Sequence, residues 1–251
     1  MNSFAHRLVD RFLRRTGLQN WPVRVRGELA TGARWTLYPA SAYWRGGYEP
    51  GVTRAILSLG DLTGQVCWDL GAHYGYYSVA LAMRTGPTGQ VAAFEPFPAN
   101  FARLERHRRM NKLDWLKVFP AAISDSPGEV EMITGGGDTE NHLRYDDEVK
   151  TADTTTIRVR TVRLDDLVAS GEIRPPNFIK IDVEGHGHVA LAGAAATIAR
   201  HRPVMLMGFH SHFEVAGTKA ILDPLGYQWQ PLESNAPAHC VGFDYLLRPP
   251  A

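Results

Sequence analysis

Residues 66–78 of this chain read VCWDLGAHYGYYS, an apolar strand that ends in Asp69, turns through Gly71 and Gly75 and enters a helix. That is the outline of a ligand-binding turn. Gly71 lets backbone approach a ligand with no Cβ between them, Gly75 permits a tight entry into the helix, and the helix N-terminus adds positive potential. Spacing selects the ligand. A dinucleotide turn needs Gly-x-Gly-x-x-Gly, whereas these glycines stand four apart, with an acid two residues before the first. A carboxylate at the strand tip repels a pyrophosphate and attracts an ammonium or a sulfonium, which favours S-adenosylmethionine over NAD. A second acid, Glu95, ends the next strand ahead of Pro96, where it can accept both hydroxyls of a ribose. Ser124 and Asp125, after the third strand, are positioned to offer acceptors to an adenine edge.

Two further clusters carry chemistry. The run Phe178–His188 passes from an apolar strand into Asp182, Glu184, His186 and His188, and the following strand delivers His210, His212 and Glu214. In open α/β sheets ligands sit at that carboxyl edge. These groups can act as general bases or as metal ligands, and a divalent metal is the less favoured of the two. His186 and His210 are the rival bases. His210 is preferred, because His186 opens a helix and is the one consumed as a cap.

The elements that must position these groups alternate. Strands are expected at Gln65–Leu70, Gln90–Phe94, Leu116–Phe119, Asn177–Ile181 and Pro203–Met207, with helices near 75–84, 98–111, 186–199 and 212–222 between them, which implies an α/β fold with a parallel sheet covered on both faces. Tyr227–Gln230 and Cys240–Leu247 read as two more strands that finish the sheet antiparallel. Upstream, residues 3–18 have helical apolar spacing with a basic outer face, suited to docking on the body or on a second copy in a homodimer. Val23–Arg26 and Arg34–Tyr38 alternate with period two around Gly32, a β-hairpin. Residues 1–60 therefore read as an N-terminal cap and 61–251 as the main domain. The stretch Thr134–Thr156, with three consecutive glycines and little periodicity, reads as a lid or binding loop.

Composition excludes other classes. The chain has 251 residues, is 44% hydrophobic and 21% charged, and carries a net charge of +1, so neither disorder nor a global field for nucleic acid is indicated. Its two cysteines, Cys67 and Cys240, read as buried thiols within strands rather than as a disulfide. No apolar run is long enough to span a membrane and no signal-peptide core forms near the N-terminus, so a cytoplasmic protein acting on a small molecule is expected.

In order along the chain, Tyr48-Glu49-Pro50, the Asp69–Ser78 turn, Phe94–Asn100, Val162–Leu167, Ile179–His186 and Leu191–Ala194 together resemble the FkbM-type methyltransferases, over roughly residues 47–210. The resemblance implies a Rossmann-like class I methyltransferase fold, S-adenosylmethionine as donor, and an oxygen acceptor such as a hydroxyl of a sugar, polyketide or other secondary metabolite. With the turn chemistry above, the donor is expected against Asp69, Gly71, Ala72, His73, Tyr74, Gly75, Ser78, Glu95, Pro96, Asn100, Ser124, Asp125 and Asp182. His210, His186, Asp182 and Glu184 are the expected catalytic groups. Two positions depart from the family: Gly187 and Gly208 stand where acids are common. Both lie on the acceptor side, which keeps two alternatives open, a carboxylate acceptor that needs no base and a nucleotide-binding protein without catalysis.

Overall fold

Brief apolar runs bounded by Gly, Pro or Asn pair side by side through the middle of the molecule, and the longer amphipathic segments between them pack on both faces of the resulting sheet. The computed structural model describes residues 13, 15–37, 42–134, 142–143, 155–233 and 239–250. The chain opens with a short antiparallel hairpin, β1 (Pro22–Arg24) and β2 (Arg34–Thr36), followed by α1 (Pro50–Leu57). Then come β3 (Val66–Leu70), α2 (Tyr76–Thr85), β4 (Gln90–Phe94), α3 (Pro98–Met110) and β5 (Leu116–Phe119). A second small sheet is built from β6 (Ala122–Ile123), β7 (Gly128–Thr134), β8 (His142–Leu143) and β9 (Thr155–Val162). The chain returns through α4 (Leu164–Ala169), β10 (Phe178–Ile181), α5 (Gly187–Ala192), α6 (Ala195–His201), β11 (Val204–Gly208), α7 (His212–Leu222), β12 (Gln228–Pro231) and β13 (Asp244–Arg248).

The main sheet has the order β12-β13-β11-β10-β3-β4-β5. Strands β11, β10, β3, β4 and β5 are mutually parallel, and β13 runs antiparallel to its neighbours β11 and β12. Its order reverses between β3 and β10, because the chain builds outward through β4 and β5 and then returns to the other side of β3. A crevice opens at such a switch point, beyond the carboxyl ends of the two strands. This is the class I methyltransferase architecture.

The expected strands and helices are found within a residue or two, with four exceptions. The segment 186–199 is two helices, since the chain breaks at Gly193 and Ala194, where a Cβ on Gly193 would meet the Ser124 carbonyl. Cys240–Phe243 is not strand: Gly242 has a φ of +84°, and pairing begins at Asp244. Cys240 is accordingly half-buried, whereas Cys67 is fully buried, and both are free thiols. The small sheet was not anticipated: β7 ends and β9 begins at the two margins of the expected loop 134–156 and β8 falls inside it, while residues 135–141 and 144–154 of that loop and most of the expected N-terminal helix lie outside the described residues. Among the described residues no helix is long and apolar enough to cross a membrane.

The hairpin is fastened to the main body through α3. Asn111 receives the Arg34 N–H at 2.7 Å and donates to the Arg34 carbonyl at 2.8 Å. His107, fully buried, stacks on Trp35 with ring centroids 3.5 Å apart, contacts the Tyr74 carbonyl through Nδ1 at 2.8 Å and the Thr36 hydroxyl through Nε2 at 2.9 Å. Nε2 also accepts the Thr36 N–H at 3.3 Å. That fixes a neutral ring with its proton on Nδ1, because a second proton would point at a donor. Burial pushes the His107 pKa down to about 3. The unfolded chain thus takes up a proton that the folded one refuses, and stability should fall by about 1.4 kcal/mol per pH unit as pH drops below ~6.5. Denaturant melts at stepped pH should show this slope in the wild type and lose it in His107→Gln.

Candidate active site

At the reversal of strand order, register places two charged side chains opposite each other: Lys180 of β10 pairs with Asp69 of β3. Both are buried, and they lie on the same face of the sheet. Burial in apolar surroundings opposes the charge on Lys180, but Asp182, Asp69 and Glu49 outweigh it and hold the ammonium protonated, with its pKa above the ordinary value. Its Nζ lies 3.2 Å from Asp182 Oδ2 and 4.9 Å from the Tyr77 ring centroid. Asp182 Oδ1 in turn lies 3.2 Å from His210 Nε2, and His210 Nδ1 is 3.4 Å from Glu184 Oε2. Burial alone would raise Asp182, yet Lys180 and His210 prevail and keep its carboxylate ionised well below the usual range. The same hydrogen bond from Asp182 works against burial on His210 and, with Glu184, raises its pKa to about 9. His210 is therefore a cation at neutral pH.

The backbone that presents this chain of charges is held by a buried carboxylate. Glu214 accepts the N–H of Gly187 through one oxygen and that of His210 through the other, both at 2.8 Å, while Ser211 caps α7 by accepting the Glu214 N–H at 3.1 Å. A Cβ on Gly187 would run into Met207 and Glu214, so the glycine is what admits the carboxylate. His186 is the residue preceding α5 and lines neither cavity of the site. His188 packs against Gly217 of α7.

Two cavities meet at Lys180 and Asp182. The first runs along Gly71, Ala72 and His73, past Glu95, Pro96 and Asn100, to the apolar side chains Phe94, Ile123 and Met132, and is roofed by Tyr43, Tyr48, Tyr76 and Tyr77. Glu95 is the polar anchor: Oε2 accepts the His73 N–H at 2.7 Å and Oε1 that of Phe97 at 2.9 Å. Burial raises its pKa to about 7 against those two bonds. An apolar slot for a flat ring, a carboxylate beside it with acceptor capacity to spare, and a glycine-rich turn fit a nucleoside with a vicinal diol. Asp69 stands behind this turn, where one oxygen accepts the Ser78 hydroxyl at 2.5 Å and the other is buried without a hydrogen-bond partner. Of the residues expected against the donor, Asp69, Tyr74, Gly75, Ser78, Ser124 and Asp125 do not line the cavity. Gly75 starts α2 with a φ of +85°, and a Cβ there would collide with Leu104. Ile123, one residue earlier than Ser124, is the one that reaches the slot.

The second cavity, about 310 Å³, extends from Lys180 and Asp182 past Gly208 and His210 to Glu49 and Asp244. Lys180, Glu49 and Asp244 were not among the residues expected from sequence. A lysine inside the buried strand FIKI was the available signal for the first, since a charge in a central strand must have partners. Asp182, Glu184 and His210 also bring ligand atoms within 4.8 Å of one another, a spacing that could hold a cation. Lys180 and protonated His210 already supply positive charge to Asp182, which weighs against one.

The family model described as Methyltransferase FkbM domain matches residues 69–228. The chain belongs to the FkbM methyltransferase family. Its methyl donor is S-adenosylmethionine. It is 28% identical over 194 residues to hexuronic acid methyltransferase AglP of Haloferax volcanii, a match covering 74% of each chain. It is also 28% identical over 171 residues to 2-O-methyltransferase NoeI of Sinorhizobium fredii, covering 60% of this chain and 66% of that one. A solved FkbM methyltransferase from Methylobacillus flagellatus superposes with a TM-score of 0.50 at 21% identity, over 72% of this chain and 43% of the other.

Two expectations follow for the donor side. Glu95→Ala should weaken binding of S-adenosylhomocysteine by about 10- to 100-fold in calorimetry, and wild-type affinity should decline as pH falls through 7, where Glu95 takes up a proton. Gly71→Ala should reduce the melting temperature as well as the affinity, because its Cβ would strike the Asp182 carbonyl at the join of β3 and β10. A variant that binds and melts like wild type contradicts this packing.

Proposed function

We propose that the protein is an S-adenosylmethionine-dependent O-methyltransferase acting on a hydroxyl of a small polyhydroxylated molecule, a sugar or a related secondary metabolite. The observation that carries this reading is the Lys180–Asp182–His210 chain, which lies where a nucleoside-shaped cavity and a polar cavity join. The donor supplies an electrophilic methyl carbon on a sulfonium. An acceptor oxygen in the second cavity attacks it in line, the new C–O bond forming as the C–S bond breaks, so that S-adenosylhomocysteine leaves as the neutral thioether. Most of the acceleration comes from holding oxygen, carbon and sulfur collinear.

An alcohol must also lose its proton, and His210, at the open rim of the site, is the group assigned to take it. Asp182 fixes the imidazole through Nε2, so the acceptor's proton goes to Nδ1, where the hydroxyl takes the place of Glu184, 3.4 Å away in this structure. Lys180 acts by position: it keeps Asp182 ionised, and Asp182 orients His210. A carboxylate acceptor needs no base and remains the second reading, favoured by the high pKa of His210.

His210→Ala should lower turnover by ~10²–10⁴ with donor affinity nearly unchanged. Because His210 must be neutral to accept a proton, the wild-type rate should climb through pH 8 toward a limb near 9, and the variant should lack that limb. Labelled methyl transfer to a panel of glycosides, with a chelator control, checks both. A His210→Ala enzyme that methylates the glycosides at the wild-type rate would move the base to another group of the site such as Glu184.

A further inference from the structure

The second cavity is acidic beyond what the proton-handling groups require. Three carboxylates line it, Glu49, Asp182 and Asp244, against two cations, Lys180 and His210. Both cations are already turned to Asp182, each at 3.2 Å, and His210 is shared with Glu184 as well. Glu49 accepts the Tyr77 hydroxyl at 2.6 Å and acts on Lys180 only through the field behind Asp182 and Asp69, and among the described residues neither Glu49 nor Asp244 makes a salt bridge. Gly208 then decides what the cavity can receive. A side chain at that position would begin 2.8 Å from Asp244 Oδ1, 3.5 Å from His210 Nε2 and 3.9 Å from Asp182 Oδ1. The glycine therefore opens a space on which three polar atoms, two of them carboxylate oxygens, converge.

We infer that Asp244 and Glu49 are specificity-determining residues, and that the acceptor is a hydroxylated molecule without a carboxylate or phosphate, whose hydroxyl or amino groups donate to these two side chains. This rests on the O-methyltransferase reading above and narrows it. A neutral polyol donates to the Asp244 oxygens and to the acceptor capacity that Tyr77 leaves on Glu49, and an amino group adds opposite charge. A uronic acid would bring a further anion beside Asp244 and Glu49, where like charges in a desolvated pocket repel strongly. Neighbouring acids already show the effect: burial first, then Asp182 and Glu49, raise the Asp244 carboxyl to about 6. The substrate class indicated is thus distinct from that named for the similar Haloferax protein.

The test uses the full chain with S-adenosylmethionine and three matched acceptors, the methyl glycosides of glucose, glucosamine and glucuronic acid, comparing kcat/KM. Wild type should favour the first two over the uronide by roughly 10-fold or more. Asp244→Asn and Glu49→Gln, which keep shape and remove charge, should each narrow that ratio several-fold, and Asp244→Asn, which touches no wall of the donor cavity, should bind S-adenosylhomocysteine as before. A wild type that prefers the uronide, or a ratio unmoved in both variants, overturns the inference and leaves O-methylation standing. Absence of transfer to all three, with the donor bound, overturns the sugar acceptor and this inference with it. Donor affinity measured on each variant separates those outcomes from a failure to fold.

Discussion

A lysine in the middle of a parallel sheet can stay charged only if the strands around it bring carboxylates to meet it, and the site of this protein is organised by that requirement. Lys180 is in register with Asp69 on the adjacent strand and two residues from Asp182 on its own. Period two along β10 keeps residues 180 and 182 on one side, so a single ammonium links the strand that carries the donor turn to the strand that carries the proton-handling groups. Remove it and Asp69 and Asp182 become close anions without a counter-charge. The position of His210 follows from the same network, since its ring is oriented by the carboxylate that Lys180 keeps ionised.

The small N-terminal segment is part of this arrangement. Tyr43 and Tyr48 roof the donor cavity, Tyr43 meets His73 at 3.1 Å, and Glu49 bonds Tyr77 on α2. Tyr43 packs edge-on against Trp35, and Trp35 stacks on His107 in turn. An imidazole held neutral on α3 is thereby connected through two aromatic contacts to the roof of a cavity it does not touch. The architecture is that of a rigid sheet edge with a fastened aromatic cover.

Much of this was legible in sequence, because alternating apolar runs and the acids at their ends reflect periodicity and topology, which are local. Glu95, Asp182 and His210 sit at strand ends that this periodicity picks out and line the two cavities, whereas Asp69, picked out in the same way, lies behind the donor turn. What was not legible depended on contacts between distant segments. Gly71 reads as a place for a ligand, yet its Cβ direction is occupied by the Asp182 carbonyl, so strand crossing constrains it before any ligand does. Asp165, within the Val162–Leu167 motif, accepts two backbone N–H groups and the Thr197 hydroxyl at the start of α6, a structural cap that sequence alone does not separate from a functional acid. Gly187 and Gly208 read as lost acids; the structure fills the neighbourhood of each with a carboxylate from elsewhere, Glu214 and Asp244.

The two segments that supply Glu49 and Asp244 lie one before and one after residues 69–228, the stretch that the family model matches. The donor turn, Lys180, Asp182 and His210 all lie within it. Two of the acids that face the acceptor cavity thus reach it from outside the stretch that carries the donor turn and the proton-handling groups. A change at either acid can alter what the cavity receives while the donor turn keeps its own residues.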